Sequence, residues 1–181
     1  MRRISTGLVA ALVAVTAVSL TAQKTTELKV GKGGSPHVRS DWTIDGASIS
    51  IEYGRPALKG RPEDQMMPPG DPWRTGADEA TIITTDKPLK FGTLSLAPGT
   101  YTINTVPNQN DWQLVIGKLG KPNQWGIPYN AALEIGRAPM TLGKTTASVE
   151  QVTISIDDTA KGGTLRVEWG TKRATIPFTV G

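Results

Sequence analysis

Apolar side chains in this chain fall mainly at every second position, in short runs broken by glycine, proline, aspartate and asparagine. That is the period of a β-strand with one buried face, because successive side chains on a strand point to opposite sides. The clearest case is a hairpin. Val38, Ser40, Trp42 and Ile44 share one face, Asp45-Gly46 turns the chain, and Ala47, Ile49, Ile51 and Tyr53 return. Asp-Gly suits a two-residue type I′ turn, in which both central residues need positive φ. Ser48, Ser50 and Glu52 are expected to face water.

Similar runs follow to the end of the chain. Ala80 to Thr85 is β-branched, Leu89 to Leu96 reads as two short arms around Gly92, and Tyr101, Ile103 and Thr105 alternate after Ala97-Pro98-Gly99-Thr100. Pro and Gly at the centre of that tetrapeptide predict a type II turn. Trp112, Leu114 and Ile116 form another run, and so do Val152, Ile154 and Ile156. Leu165, Val167 and Trp169 come next, and Ala174, Ile176, Phe178 and Val180 close the series. The stretch 131–140 fits either a strand or one helical turn. No helical stripe of apolar residues occurs outside the N-terminus. About nine strands joined mostly by hairpin-length links predict an all-β, single-domain antiparallel sandwich, with a closed barrel as the alternative.

The N-terminus reads differently. Met1-Arg2-Arg3 precedes an uncharged apolar run from Gly7 to Leu20, shorter than the roughly 20 residues a membrane-spanning helix needs. Residues 1–22 are read as a signal peptide cleaved after Ala22, 23–36 as a flexible N-terminal segment with a short alternation at Thr25 to Val30, and 37–181 as the sandwich domain. The expected location is extracytoplasmic, in the periplasm or secreted. Removing Arg2 and Arg3 lowers the formal charge from +4 to +2. No run of lysines marks a nucleic-acid groove, so nucleic acid is not an expected partner. The absence of cysteine rules out disulfides and thiolate chemistry.

One stretch departs from the strand pattern. From Glu52 to Thr81 the chain gathers arginines, a lysine, carboxylates, prolines, glycines and a tryptophan into one long inserted loop. Structureless loops longer than roughly 12–15 residues are uncommon and usually functional or disordered. Arg55, Lys59 and Arg61 are three closely spaced cations, Arg74 follows Trp73, and Asp78-Glu79 open the return strand, where they are expected on opposite faces. Two readings compete. In one, guanidinium forks hold a small polar or anionic ligand, with Trp73 and Trp125 as pocket walls. In the other, arginine–carboxylate pairs staple the loop to the sandwich and Trp73 anchors it. Trp42, Trp112 and Trp169 fall on apolar faces and read as core. Met66-Met67-Pro68-Pro69 reads as a flexible lid or a packing patch.

Catalytic signals are sparse. His37 is the one histidine, with no nucleophile elbow near it, and it reads as a histidine at the start of a strand. A single histidine and no cysteine do not make a zinc site, and neither Asp157-Asp158 nor Glu63-Asp64 supplies a calcium shell, so no metal or cofactor is expected. A hydrolase using Asp78 or Glu79 as general base stands third, behind a ligand-binding protein and an envelope structural or interaction module.

The segments Y-G-R-P-x-x-K-G-R (Tyr53 to Arg61), W-R-T-G-A-D-E-A-T (Trp73 to Thr81) and A-P-G-T-Y (Ala97 to Tyr101), with Trp112 and Trp125-Gly126, carry a resemblance. The chain resembles the bacterial exported family known as domain of unknown function 2911, over about Trp42 to Val180. The resemblance implies export and singles out the motif residues. It brings no established activity.

Overall fold

The computed structural model describes residues 23–181, so the proposed signal peptide lies outside the described residues. Ten strands follow in chain order: β1 Lys24–Val30, β2 Pro36–Ile44, β3 Ala47–Gly54, β4 Thr81–Thr85, β5 Leu89–Phe91, β6 Leu94–Leu96, β7 Gly99–Pro107, β8 Trp112–Lys118, β9 Glu134–Thr159 and β10 Gly162–Val180. They form one antiparallel sheet in the order β1-β2-β3-β4-β7-β8-β9-β10-β5-β6, which is not closed into a barrel. The segment set apart as flexible in the sequence supplies β1, which pairs with β2 along its length.

The hairpin β2–β3 has the expected register, Ile44 opposite Ala47, with Asp45 at φ 47° and Gly46 at φ 73° in its turn. Ser50, expected in water, is buried. It lies on an interior strand between Asp41 of β2 and Thr84 of β4. Gly99 is extended at φ 157° and already belongs to β7, where a type II turn asks for about +80°. The ambiguous stretch resolves into a 3-10 turn at Ala131–Leu133, capped by the Asn130 side chain, followed at once by β9.

Two long strands double the sheet over. Near its start β9 pairs with β8, Trp112 facing Met140, and further along it pairs with the first half of β10, Thr153 facing Glu168. Between Gly170 and Lys172 the register slips, and Gly170 takes φ 59°. Beyond this corner β10 still pairs with β9, Lys172 facing Lys144 and Thr175 facing Thr141, and only its end, Thr179 and Val180, pairs with β5. The hydroxyl of Tyr53 on β3 donates to the Ile154 carbonyl of β9 at 3.4 Å and accepts from its N–H at 3.0 Å. Strands far apart in sheet order are therefore packed face to face. Ile44, Ile49, Ile51 and Ile83 of one layer share a single core with Val152, Ile154, Val167, Ile176 and Phe178 of the other. Trp42, Trp112 and Trp169 belong to it, as their spacing suggests.

Candidate functional site

The inserted loop starts by finishing the sheet. The second half of β9 has β10 on one side only, which leaves its other edge unpaired, a liability that folds cover. Ala57 bridges to Gln151, Leu58 N–H donates to the Glu150 carbonyl at 2.9 Å, and Val152 N–H donates to the Pro56 carbonyl at 3.1 Å. Arg55 completes the cover, its Nε donating to the Val152 carbonyl at 2.9 Å and its Nη2 to Thr153 Oγ1 at 3.1 Å. Lys59 sits at the following turn with φ 50°, exposed, its N–H bound to Glu150 Oε1 at 2.7 Å. Arg61 folds back on its own loop, donating to the carbonyls of Leu58 and Ala57 at 2.9 and 2.6 Å. The two guanidinium groups are thus largely spent on structure, whereas Lys59 contributes through its backbone.

The middle of the loop is packed against the fold. A one-turn helix, Glu63–Met66, places the Glu63 carboxylate on the Thr171 N–H at 2.7 Å, beside the β10 corner. Met67 is fully buried, so the lid reading of the Met/Pro stretch gives way to packing there. Trp73 exchanges backbone hydrogen bonds with Thr105 at 2.7 and 2.9 Å. Its ring stacks on Trp169 (5.5 Å between centroids, 11° between planes) and meets Trp112 edge-on at 6.3 Å. Trp73 is thus both the anchor and a cavity wall.

The end of the loop holds the densest charge cluster. Asp78 takes φ 61°, a left-handed conformation that Asp tolerates better than most residues. Strand alternation therefore fails at this point, and Asp78 and Glu79 do not diverge. Both carboxylates reach the same nitrogen. His37 Nε2–H donates to Asp78 Oδ2 at 3.2 Å, and Glu79 Oε2 lies 3.5 Å from Nε2 without a hydrogen bond. His37 and Asp78 are buried. Asp78 Oδ1 also accepts from Gly33 N–H at 3.3 Å, tying the β1–β2 turn to the loop. Lys29 Nζ donates to Glu79 Oε1 at 2.6 Å, and this bond above all holds the Glu79 carboxyl below its ordinary range. Space for the cluster comes from two glycines. A Cβ on Gly31 would stand 2.0 Å from Asp78 Oδ2, and one on Gly54 would stand 2.5 Å from the Ala77 carbonyl oxygen.

Arg74 is placed differently from the other arginines. Its Nε donates to the Gly76 carbonyl at 3.2 Å, while Nη1 is sealed from water without a hydrogen-bond partner. Among the described residues it belongs to no ion pair. Burial pushes its pKa down, and the charge of Asp78 partly restores it. Arg74, Asp78, Trp73 and Arg61 all line one cavity of about 360 Å3, closed on other sides by Met66, Pro72, Ile127 and Trp169. Glu79 and His37 line a separate cavity of about 400 Å3 with Lys29, Tyr53 and Gln124.

The eight candidate residues therefore do not converge on one pocket. Arg61, Trp73, Arg74 and Asp78 share a cavity, Glu79 lies in the other, and Arg55 and Lys59 serve the β9 edge. Trp125 lines neither of these cavities. It bridges backbone to Glu79, remains 41% exposed, and is followed by Gly126, whose N–H holds the Asp78 carbonyl at 3.0 Å. A third, more open hollow of about 520 Å3 covers the outer face of β2 to β4, where Arg39 is already paired with Asp41 and Glu52. Sequence reasoning set His37 aside as a histidine at the start of a strand and did not single out Lys29. Each meets its partner across more than 40 residues of chain, and the available hint was the glycines around them.

A family model described as "Protein of unknown function (DUF2911)" matches residues 35–178, and so takes in the Arg74 cavity apart from Gly33 and the sheet apart from β1 and the last residues of β10. The chain belongs to the DUF2911 family. No curated protein and no solved structure matches it. Within this family member the motif segments have distinct jobs: Y-G-R-P covers the β9 edge, and W-R-T-G-A-D-E carries the cavity wall and the His37 cluster.

Proposed function

We propose that this DUF2911 member is an exported, extracytoplasmic binding protein whose small ligand presents an anionic or other acceptor group to Arg74. The observation that carries the reading is the state of that guanidinium. It is half-buried, lines a cavity, lacks an ion-pair partner among the described residues and spends only Nε on a hydrogen bond within the protein. An acceptor bound in the cavity gains a charge-assisted hydrogen bond from this cation, worth about 1.5–3 kcal/mol. Planar guanidinium groups favour bidentate carboxylate or phosphate oxygens.

The reading as a purely structural module draws on Arg55, Arg61 and the Lys29–Glu79 pair, all of which staple the loop, but it leaves Arg74 unexplained. A carboxylate-based hydrolase needs a general base tuned towards neutral pH. Glu79 is held in the opposite direction by Lys29, and Asp78 is occupied by His37 and Gly33.

The test is a thermal-shift screen of small carboxylates, phosphates and sugars on the purified protein and on Arg74→Gln. At least one ligand with an acceptor group is expected to raise the melting temperature of the parent and to lose its effect in the variant. A flat screen, or shifts that survive Arg74→Gln, would remove the proposal.

A further inference from the structure

We infer that the ligand of the Arg74 cavity is a monoanionic organic carboxylate with an apolar, preferably aromatic, body. This rests on the reading of Arg74 as the anion anchor and adds the chemistry of the rest of the molecule.

Charge decides the head group. Four charged side chains line the cavity, Arg61 and Arg74 against Asp71 and Asp78, so its formal charge is balanced. Arg61 is already bonded to two backbone carbonyls, and Asp78 to His37 and Gly33. Arg74 remains as the cation with donors to spare. A monoanion at Arg74 leaves the site one charge negative, whereas a dianionic phosphate beside Asp71 and Asp78 would leave it two charges negative, so the single charge is favoured.

The walls decide the body. Trp73, Met66, Pro68, Pro72, Ile127 and Trp169 surround Arg74 with apolar surface. Trp73 is fixed by its stack on Trp169 and its backbone pairing with Thr105, so this wall is formed before a ligand arrives. Ile127, at 55% exposed, is a large aliphatic side chain left in water beside the cavity. A volume of about 360 Å3 lies near the lower end of the roughly 300–1,000 Å3 typical of small-molecule sites, and mostly apolar walls with a few placed polar groups are their usual composition. Acetate or a sugar would leave these walls wet. An arylalkanoate covers them while its carboxylate meets Arg74.

Isothermal titration calorimetry with 3-phenylpropionate, acetate, inorganic phosphate and the neutral amide 3-phenylpropionamide separates the two levels of the argument. The phenylpropionate is expected to bind at least about tenfold more tightly than each of the others, roughly one factor of ten in dissociation constant per 1.4 kcal/mol. Ile127→Ser, an uncharged surface substitution, should weaken phenylpropionate several-fold and leave acetate unchanged. Phosphate or acetate binding as tightly as phenylpropionate, with both lost in Arg74→Gln, would overturn the ligand class and leave the Arg74 anchor standing. Binding of phenylpropionate that Arg74→Gln does not weaken would overturn both.

Discussion

Gly31 shows how a single residue makes the charged cluster possible. It precedes the β1–β2 turn, and any side chain there would collide with the Asp78 carboxylate and come within 2.6 Å of His37 Nε2. Both neighbours are buried, and Asp78 is fixed on two sides by hydrogen bonds, so the collision has no cheap escape. Overpacking of this kind costs about 1–3 kcal/mol. Gly31→Ala is therefore expected to lower the unfolding free energy by that amount, seen as a lower urea midpoint with an unchanged slope, whereas an unaltered midpoint would mean that His37 and Asp78 are not held together as described. The same scale explains why Asp78 and Glu79 were misplaced from the sequence. Strand alternation assumes extended backbone, and one positive φ at Asp78 turns both carboxylates onto the same imidazole.

At the level of elements, the inserted loop divides into an edge-covering arm and a site-building arm. Arg55 belongs wholly to the first, because its Nε and Nη2 complete acceptors along β9 that have no strand beside them. Arg55→Ala is expected to cost about 1–3 kcal/mol by leaving the Val152 carbonyl unpaired. Affinity for any anion bound at Arg74 should stay at its parent value. Loss of ligand affinity with unchanged stability in a denaturation and titration pair would reverse the division of labour. This division was half legible in the chain. The density of charge located the loop, but two arginines in one Gly/Pro-rich stretch look alike until their carbonyl partners, nearly a hundred residues away in sequence for Arg55, are in place.

Across the whole molecule, alternation predicted most strands and the fold class, because a buried face every second residue is a local property. The corner was not legible. β9 and β10 are single long strands that serve both layers, and their slip in register near Gly170 depends on long-range pairing that no local window contains. Closure into a barrel was likewise open in the sequence and is decided by pairing order, in which β1 and β6 remain edges. The doubled sheet brings the Trp73 stack and Arg74 alongside Ile127, and that convergence is the basis of the proposed site. The most direct test is to follow arginine side-chain Nε–H resonances by NMR while titrating 3-phenylpropionate into the protein. The account predicts a saturable shift of the Arg74 signal with the Arg55 signal stationary on its β9 carbonyl, and a stationary Arg74 signal, or equal movement of all arginines, would contradict it.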